Sequence, residues 1–136
     1  MKNHILKVTL GVDVSKENLA VCLCRLTVNL AKEFEDPFEV SNDIPGFKKL
    51  IRWLNKEVAA REDLWVVMES TGIYHETFVY YLYEAGFKVS VMQSGRVKRY
   101  AQSLDQRSKT DALDSRMLAM LGLNEHYHCG HHQILL

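Results

Sequence analysis

The chain has 136 residues, 47% apolar and 25% charged, with 17 Lys and Arg set against 17 Asp and Glu. That length suits one domain with a core of ordinary size, and the composition excludes wholesale disorder. No apolar run reaches the ~18–20 residues of a membrane helix, the start Met1-Lys2-Asn3-His4 is unlike a signal peptide, and three cysteines close no disulfide set; a secreted, membrane or disulfide-built protein is excluded, and a cytoplasmic, reducing setting is expected.

The first element is a strand from about Val8 to Ser15. Val8, Leu10, Val12 and Val14 share one face; Thr9, Gly11, Asp13 and Ser15 share the other. A turn at Lys16-Glu17 leads into a second strand, Asn18 to Thr27, which predicts a hairpin. Lys32 to Val40 is strand-like, but Pro37 makes it an edge strand or splits it. Ser41-Asn42-Asp43 then offers capping side chains, and Pro45 suits a first helical turn. Phe47, Leu50, Ile51, Leu54 and Val58 follow at the spacing of one helix face. The unbroken apolar run Leu64-Trp65-Val66-Val67-Met68 reads as a strand covered on both faces, and it ends in Glu69. A helix from about Ile73 to Ala85 turns Phe78, Tyr81, Leu82 and Ala85 inward and stops at Gly86. Phe87 to Met92 is a further strand, and two helical stretches follow, Gly95 to Leu104 and Thr110 to Leu123. Three antiparallel strands followed by strand–helix alternation predict an α/β domain, a mixed sheet flanked by helices.

Acids at two strand ends require an explanation. Asp13 lies near the end of a strand built for burial, on a face whose small neighbours Thr9 and Gly11 leave room for a ligand. A buried carboxylate without a partner costs several kcal/mol or loses its charge. Glu69 repeats the pattern before the polar turn Ser70-Thr71-Gly72, and ligands of open α/β sheets gather outside strand ends. Thr110 is a good N-cap, which puts Asp111 and Asp114 on one side of the last helix. Leu113, Met117, Met120 and Leu121 on the opposite side are expected to hold that helix to the sheet.

Asp111 and Asp114 by themselves serve equally well to complement the helix macrodipole, but that reading leaves Asp13 and Glu69 unexplained. Four acids from two strand ends and one helix suit a pair of Mg²⁺ ions (Mn²⁺ as a substitute) clamping the oxygens of a phosphoryl transfer. Charge adds a second clue. The stretch from Lys88 to Arg116 carries a net +4 in a neutral chain. On charge alone this is a solvated helix face; beside the acids, Arg96, Lys98, Arg99, Arg107 and Lys109 are placed to hold phosphates.

Four blocks, in order, resemble the N-terminal domain of the DEDD-type insertion-sequence transposases, the RNA-guided bridge recombinases related to the Piv-like invertases. They are Gly11-Val12-Asp13-Val14-Ser15-Lys16, Met68-Glu69-Ser70-Thr71-Gly72, Val97-Lys98-Arg99-Tyr100-Ala101 and Lys109-Thr110-Asp111-Ala112-Leu113-Asp114-Ser115-Arg116. The resemblance implies a RuvC-like, ribonuclease-H-like fold over residues 1–123, with 124–136 an irregular tail leading on to a second domain. It implies that Asp13, Glu69, Asp111 and Asp114 bind Mg²⁺ for DNA strand cleavage and exchange. Lys16, Arg96, Lys98, Arg99, Arg107, Lys109, Thr110 and Arg116 are then the candidate nucleic-acid contacts. DNA, a guide RNA and further copies of the chain (a dimer or tetramer) are the implied partners. Two departures stand out: Gln93-Ser94 replaces the family's Asn-Pro, and no second domain with a catalytic serine follows Leu136. The chain is therefore expected to fall short of complete recombination by itself.

The alternative is a truncated, non-catalytic module that binds RNA or sister subunits. An actin-like or sugar-kinase-like ATPase half is discounted for want of a second Gly-rich phosphate loop. The segment Glu125-His126-Tyr127-His128-Cys129-Gly130-His131-His132 has no partner cluster at zinc-finger spacing and reads as a His-rich end. Cys22 and Cys24 read as small core residues. Tyr74, Tyr80, Tyr81 and Tyr83 could stack bases, but at helical spacing they read as core or interface.

Overall fold

A computed structural model describes residues 5–58, 64–70, 72–93, 95, 99 and 111–124, with the side chains of 6, 111–114 and 124 excepted. The expected helix 95–104 and the His-rich end lie outside the described residues, apart from positions 95 and 99.

The hairpin forms as its alternation dictates. Strand β1 (Ile5–Val14) pairs antiparallel with β2 (Asn18–Thr27), Val12 opposite Val21 and Asp13 opposite Ala20. Pro37 divides the next segment into β3 (Lys32–Phe34) and β4 (Phe38–Ser41). Both pair antiparallel with β2, β3 against Cys24–Leu26 and β4 against Asn18–Val21. Helix α1 (Ile44–Glu57) begins where Asp43 accepts the Gly46 amide at 2.9 Å, with Pro45 in its first turn. Strands β5 (Leu64–Glu69) and β6 (Lys88–Met92) add in parallel, giving the order β3-β2-β1-β5-β6. Between them α2 (Glu76–Glu84) starts three residues later than its periodicity suggests. Residues 72–75 form a turn there instead, with Gly72 at φ +60°. The chain's last described element is α3 (Asp111–Asn124).

Two layers of helix enclose the sheet. On one face Val8, Leu10 and Val12 of β1 pack with Leu64, Val66 and Met68 of β5 against Phe47, Leu50 and Leu54 of α1 and Phe78 and Leu82 of α2. The opposite face, Thr9, Gly11, Trp65 and Val67 with Cys22 and Cys24, receives α3. Leu64 through Met68 are buried on both faces, as the unbroken apolar run predicts.

The seating of α3 corrects one expectation. Ser115, Leu118, Ala119 and Gly122 face the sheet, flanked by buried Met117, Leu121 and Leu123, while Met120 is half-buried and Arg116 exposed. The helix thus docks through its smallest residues, because its backbone comes too close for large ones. A Cβ on Gly11 would lie 1.9 Å from the Ser115 carbonyl oxygen, and one on Gly122 would lie 2.6 Å from Val67 Cγ2. The room that Thr9 and Gly11 leave is therefore filled by the helix rather than by a ligand. Thr9 donates its hydroxyl to the Ala119 carbonyl at 2.7 Å, and Lys7 Nζ donates to the Leu123 carbonyl at 3.4 Å.

Cys22 and Cys24 are core residues, as expected; burial pushes their thiols up to about 11 and about 12. Because the native state holds both protons, its advantage is complete below the unfolded thiol value of ~8.5 and is lost as pH rises through the native values. Urea should therefore unfold the chain more readily at pH 10 than at pH 8. At pH 8 iodoacetamide should leave both thiols untouched until the denaturant opens the fold, as peptide mass mapping will read.

Gly11→Ala meets helix backbone that no side-chain rotation can move aside. We expect a loss of at least ~3 kcal/mol or failure to fold, measured as the urea midpoint against wild type.

Candidate active site

Register decides what stands at the open end of the sheet. Val12 pairs with Met68 across the parallel β1–β5 ladder, so the next residues of the two strands, Asp13 and Glu69, stand side by side. Thr9 beside Trp65 and Gly11 beside Val67 belong to the α3 face, and the strand period of two puts Asp13 and Glu69 on that same face. Both acids are half-buried. They sit where an apolar ladder ends.

Helix α3 runs antiparallel to β1: Leu123 lies by Lys7, Ala119 by Thr9 and Ser115 by Gly11. One turn back, the helix start lies beside the end of β1. Position 111 continues the sheet-facing row 115, 118 and 122; position 114 continues the row of Leu118 and Leu121, which packs on Trp65 and Val67. Positions 111 and 114 lie in the first turn of α3, one turn before Ser115 and Leu118. Their side chains lie outside the described set, and among the described residues no group of three or more His, Cys, Asp or Glu gathers as a metal site.

Glu69 is held from outside the strand. The Gly95 amide donates to its Oε1, while the Ser70 amide pairs with the Met92 carbonyl at 2.9 Å. Gly95 has φ +89°, and Arg99 packs over it, its Nη1 3.3 Å from where a Cβ would project. Nothing in residue type or spacing marked Gly95; its only signal was a glycine three residues past the end of β6.

A second residue escaped the sequence reading. Asn42 donates through Nδ2 to the Ser15 carbonyl at 2.8 Å and the Tyr74 carbonyl at 3.0 Å, and its amide donates to the Glu17 carbonyl at 2.8 Å. One side chain thus ties the β1–β2 turn to the loop after β5, the two loops that leave the acid-bearing strands.

The predicted nucleic-acid contacts divide three ways. Lys16 is exposed in the turn that follows Asp13 by three residues, and Arg99 is exposed beside Gly95. Arg116 stacks over Phe34 at 4.1 Å from the ring centroid, on the β3 side of α3 and away from β5. Arg96, Lys98, Arg107, Lys109 and Thr110 lie outside the described residues. Of the tyrosines, Tyr81 packs on Phe47, whereas Tyr74, Tyr80 and Tyr83 are exposed.

Two adjacent half-buried carboxylates with hard oxygen donors fit a divalent cation. The profile of the IS110-type DEDD transposases, described as a transposase, matches residues 10–132. The chain belongs to this transposase family. Similar proteins include the pilin gene-inverting proteins of Moraxella bovis, 28% identical, and Moraxella lacunata, 29% identical, each over 119 residues and 88% of this chain. The chain spans about a third of their length, 35% of each.

The chain has a RuvC-like, ribonuclease-H-like fold. It is similar to Thermus thermophilus RuvC solved with a Holliday junction substrate, at TM-score 0.52 and 13% identity, covering 83% of this chain and 90% of that one. The yeast mitochondrial Holliday junction resolvase Ydc2 is likewise similar, at TM-score 0.60 and 11% identity, covering 87% and 79%. Fowlpox virus resolvase in complex with Holliday junction DNA gives TM-score 0.54 at 14% identity, covering 87% and 99%. Among the described residues no helix is long and apolar enough to cross a membrane.

Asn42→Ala removes two solvent-exposed hydrogen bonds, each worth ~0.5–1.5 kcal/mol. We expect a loss of about 1–3 kcal/mol in urea unfolding, together with faster amide hydrogen exchange confined to the β1–β2 turn and the loop after β5.

Proposed function

We propose that this chain is the divalent-metal-dependent part of a DNA transposase, cleaving and exchanging strands during insertion-sequence mobility. The observation that carries the reading is the pair Asp13 and Glu69, adjacent on one sheet face at the ends of β1 and β5, with the start of α3 beside them. In this reading Asp13, Glu69, Asp111 and Asp114 are the metal-binding acids of residues 1–123, and 124–136 leads on toward the rest of the protein. Mg²⁺ is the proposed cation, with Mn²⁺ as its substitute.

A bound divalent cation would supply positive charge to the scissile phosphate and lower the pKa of a coordinated water. The chain's own residues would do the positioning. Asp13 and Glu69 present carboxylate oxygens from a sheet whose register cannot slip without turning Val12 and Met68 out of the core. Lys16 and Arg99, with Arg96, Lys98, Arg107, Lys109 and Thr110, would hold backbone phosphates on the open side. Arg116, already engaged with Phe34, would meet only nucleic acid that wraps around α3. Family membership and the Holliday-junction neighbours support DNA as the substrate. Guide RNA and a homo-oligomer are proposed on the family resemblance, as is a serine-bearing domain in the part of the relatives that this chain does not span.

Thermal unfolding with Mn²⁺ or Mg²⁺ tests the reading on wild type, Asp13→Asn, Glu69→Gln and Asp111→Asn. A cation that binds only the folded state stabilises it by ~2.7 kcal/mol at a hundred times its Kd. Since an amide also relieves carboxylate repulsion, the quantity compared is the metal-dependent increment. Wild type should gain and the three variants should lose most of that gain. Equal responses from all four would instead favour a non-catalytic module that binds RNA or sister subunits.

A further inference from the structure

The second acid differs from the first in kind. A glutamate has one more rotatable bond than an aspartate, so a strand end that fixes its Cα does not fix its carboxylate. The fold supplies a tether. The Gly95 amide donates to Glu69 Oε1 from 26 residues further along the chain, and among the described residues the carboxylate's other oxygen has no hydrogen-bond donor, which leaves lone pairs a cation could use. The amide can point back at the strand end because Gly95 adopts φ +89°, a conformation that side-chain-bearing residues rarely enter. Its carbonyl meanwhile accepts the Arg99 amide at 3.1 Å, which fixes the orientation of the peptide on its far side. This turn is also where the sequence departs from the family's Asn-Pro, carrying Gln93-Ser94 before the glycine.

We propose that Gly95 is a positioning residue for Glu69: its left-handed backbone directs an amide onto one carboxylate oxygen and so aims the other at the cation. The proposal rests on Glu69 being a metal-binding acid. Gly95 touches neither substrate nor cation and acts through Glu69 alone. An alanine would keep the N–H but disfavour the backbone angle. Its Cβ would meet only the end of the flexible Arg99 side chain. An asparagine would keep the N–H and tolerate the angle, so the pair separates backbone geometry from bulk.

The test is a Mn²⁺ titration of the 136-residue chain, with unbound Mn²⁺ read by its paramagnetic resonance signal, on wild type, Glu69→Gln, Gly95→Ala and Gly95→Asn. Unfolding midpoints in EDTA accompany it, so that loss of fold and loss of affinity are read separately. Outer-shell partners of metal ligands are worth ~10–100-fold in affinity; Gly95→Ala should weaken Mn²⁺ binding about tenfold, and Gly95→Asn should restore it to within about twofold. Wild-type affinity in Gly95→Ala, with weakened binding in Glu69→Gln, overturns the positioning role and leaves the site reading intact. Equal weakening by Ala and Asn also overturns it, since the backbone angle would then not be the cause. Unchanged binding in Glu69→Gln, or none in wild type, overturns both readings.

Discussion

The structure turns on one close approach: the backbone of α3 against the backbone of β1 at Gly11. Carbonyl and amide groups of Ser115 and Ala119 occupy the space that any side chain at position 11 would need. Everything at the candidate site follows from that contact. It sets the helix's height above the sheet, Thr9 and Lys7 fix its direction through the Ala119 and Leu123 carbonyls, and its first turn is thereby carried to the end of β1. Apolar packing of Met117, Leu118 and Leu121 on Trp65, Val67 and Met92 supplies the adhesion. The small residues supply the address.

Around this frame, the acids are held by different kinds of constraint. Asp13 and Glu69 inherit their separation from a parallel ladder, the stiffest ruler a protein has, since slipping it by one residue would turn the apolar faces out. The loops that continue from those strands have no ladder of their own. Asn42 joins them, and the Gly95 amide closes on Glu69 from the end of the neighbouring strand. Lys16 and Arg99 stand exposed on this looser rim.

How much of this was legible in the sequence depends on what kind of contact was being read. Strand ends showed themselves because an apolar run stopping at an acid, as at Met68-Glu69, has few other physical meanings. Pro37 split its strand for the reason that a missing N–H always gives. Hydrophobic counting finds Met117 and Leu121, which do pack on the sheet, but misses the close approach made by Ser115, Ala119 and Gly122, which carry almost no hydrophobic signal. The late start of α2 has a similar origin: Ile73 fits the helical period but sits in a turn with its side chain 71% exposed. Gly95 acts through one hydrogen bond over 26 residues and Asn42 through two over 27 and 32, a range at which local pattern says nothing.

The Thr9–Ala119 hydrogen bond spans 110 residues of a chain of 136. Closing a loop of that length is the step that topology makes slow. β1, β2, α1, β5 and α2 share a core on the sheet face away from α3, and Gly11 is a notch in the other face that α3 fills. Asp13 and Glu69 are neighbours within that sheet, and α3 is the last described element to leave the ribosome. The contact that seats the last described helix thus waits on a partner made 110 residues earlier.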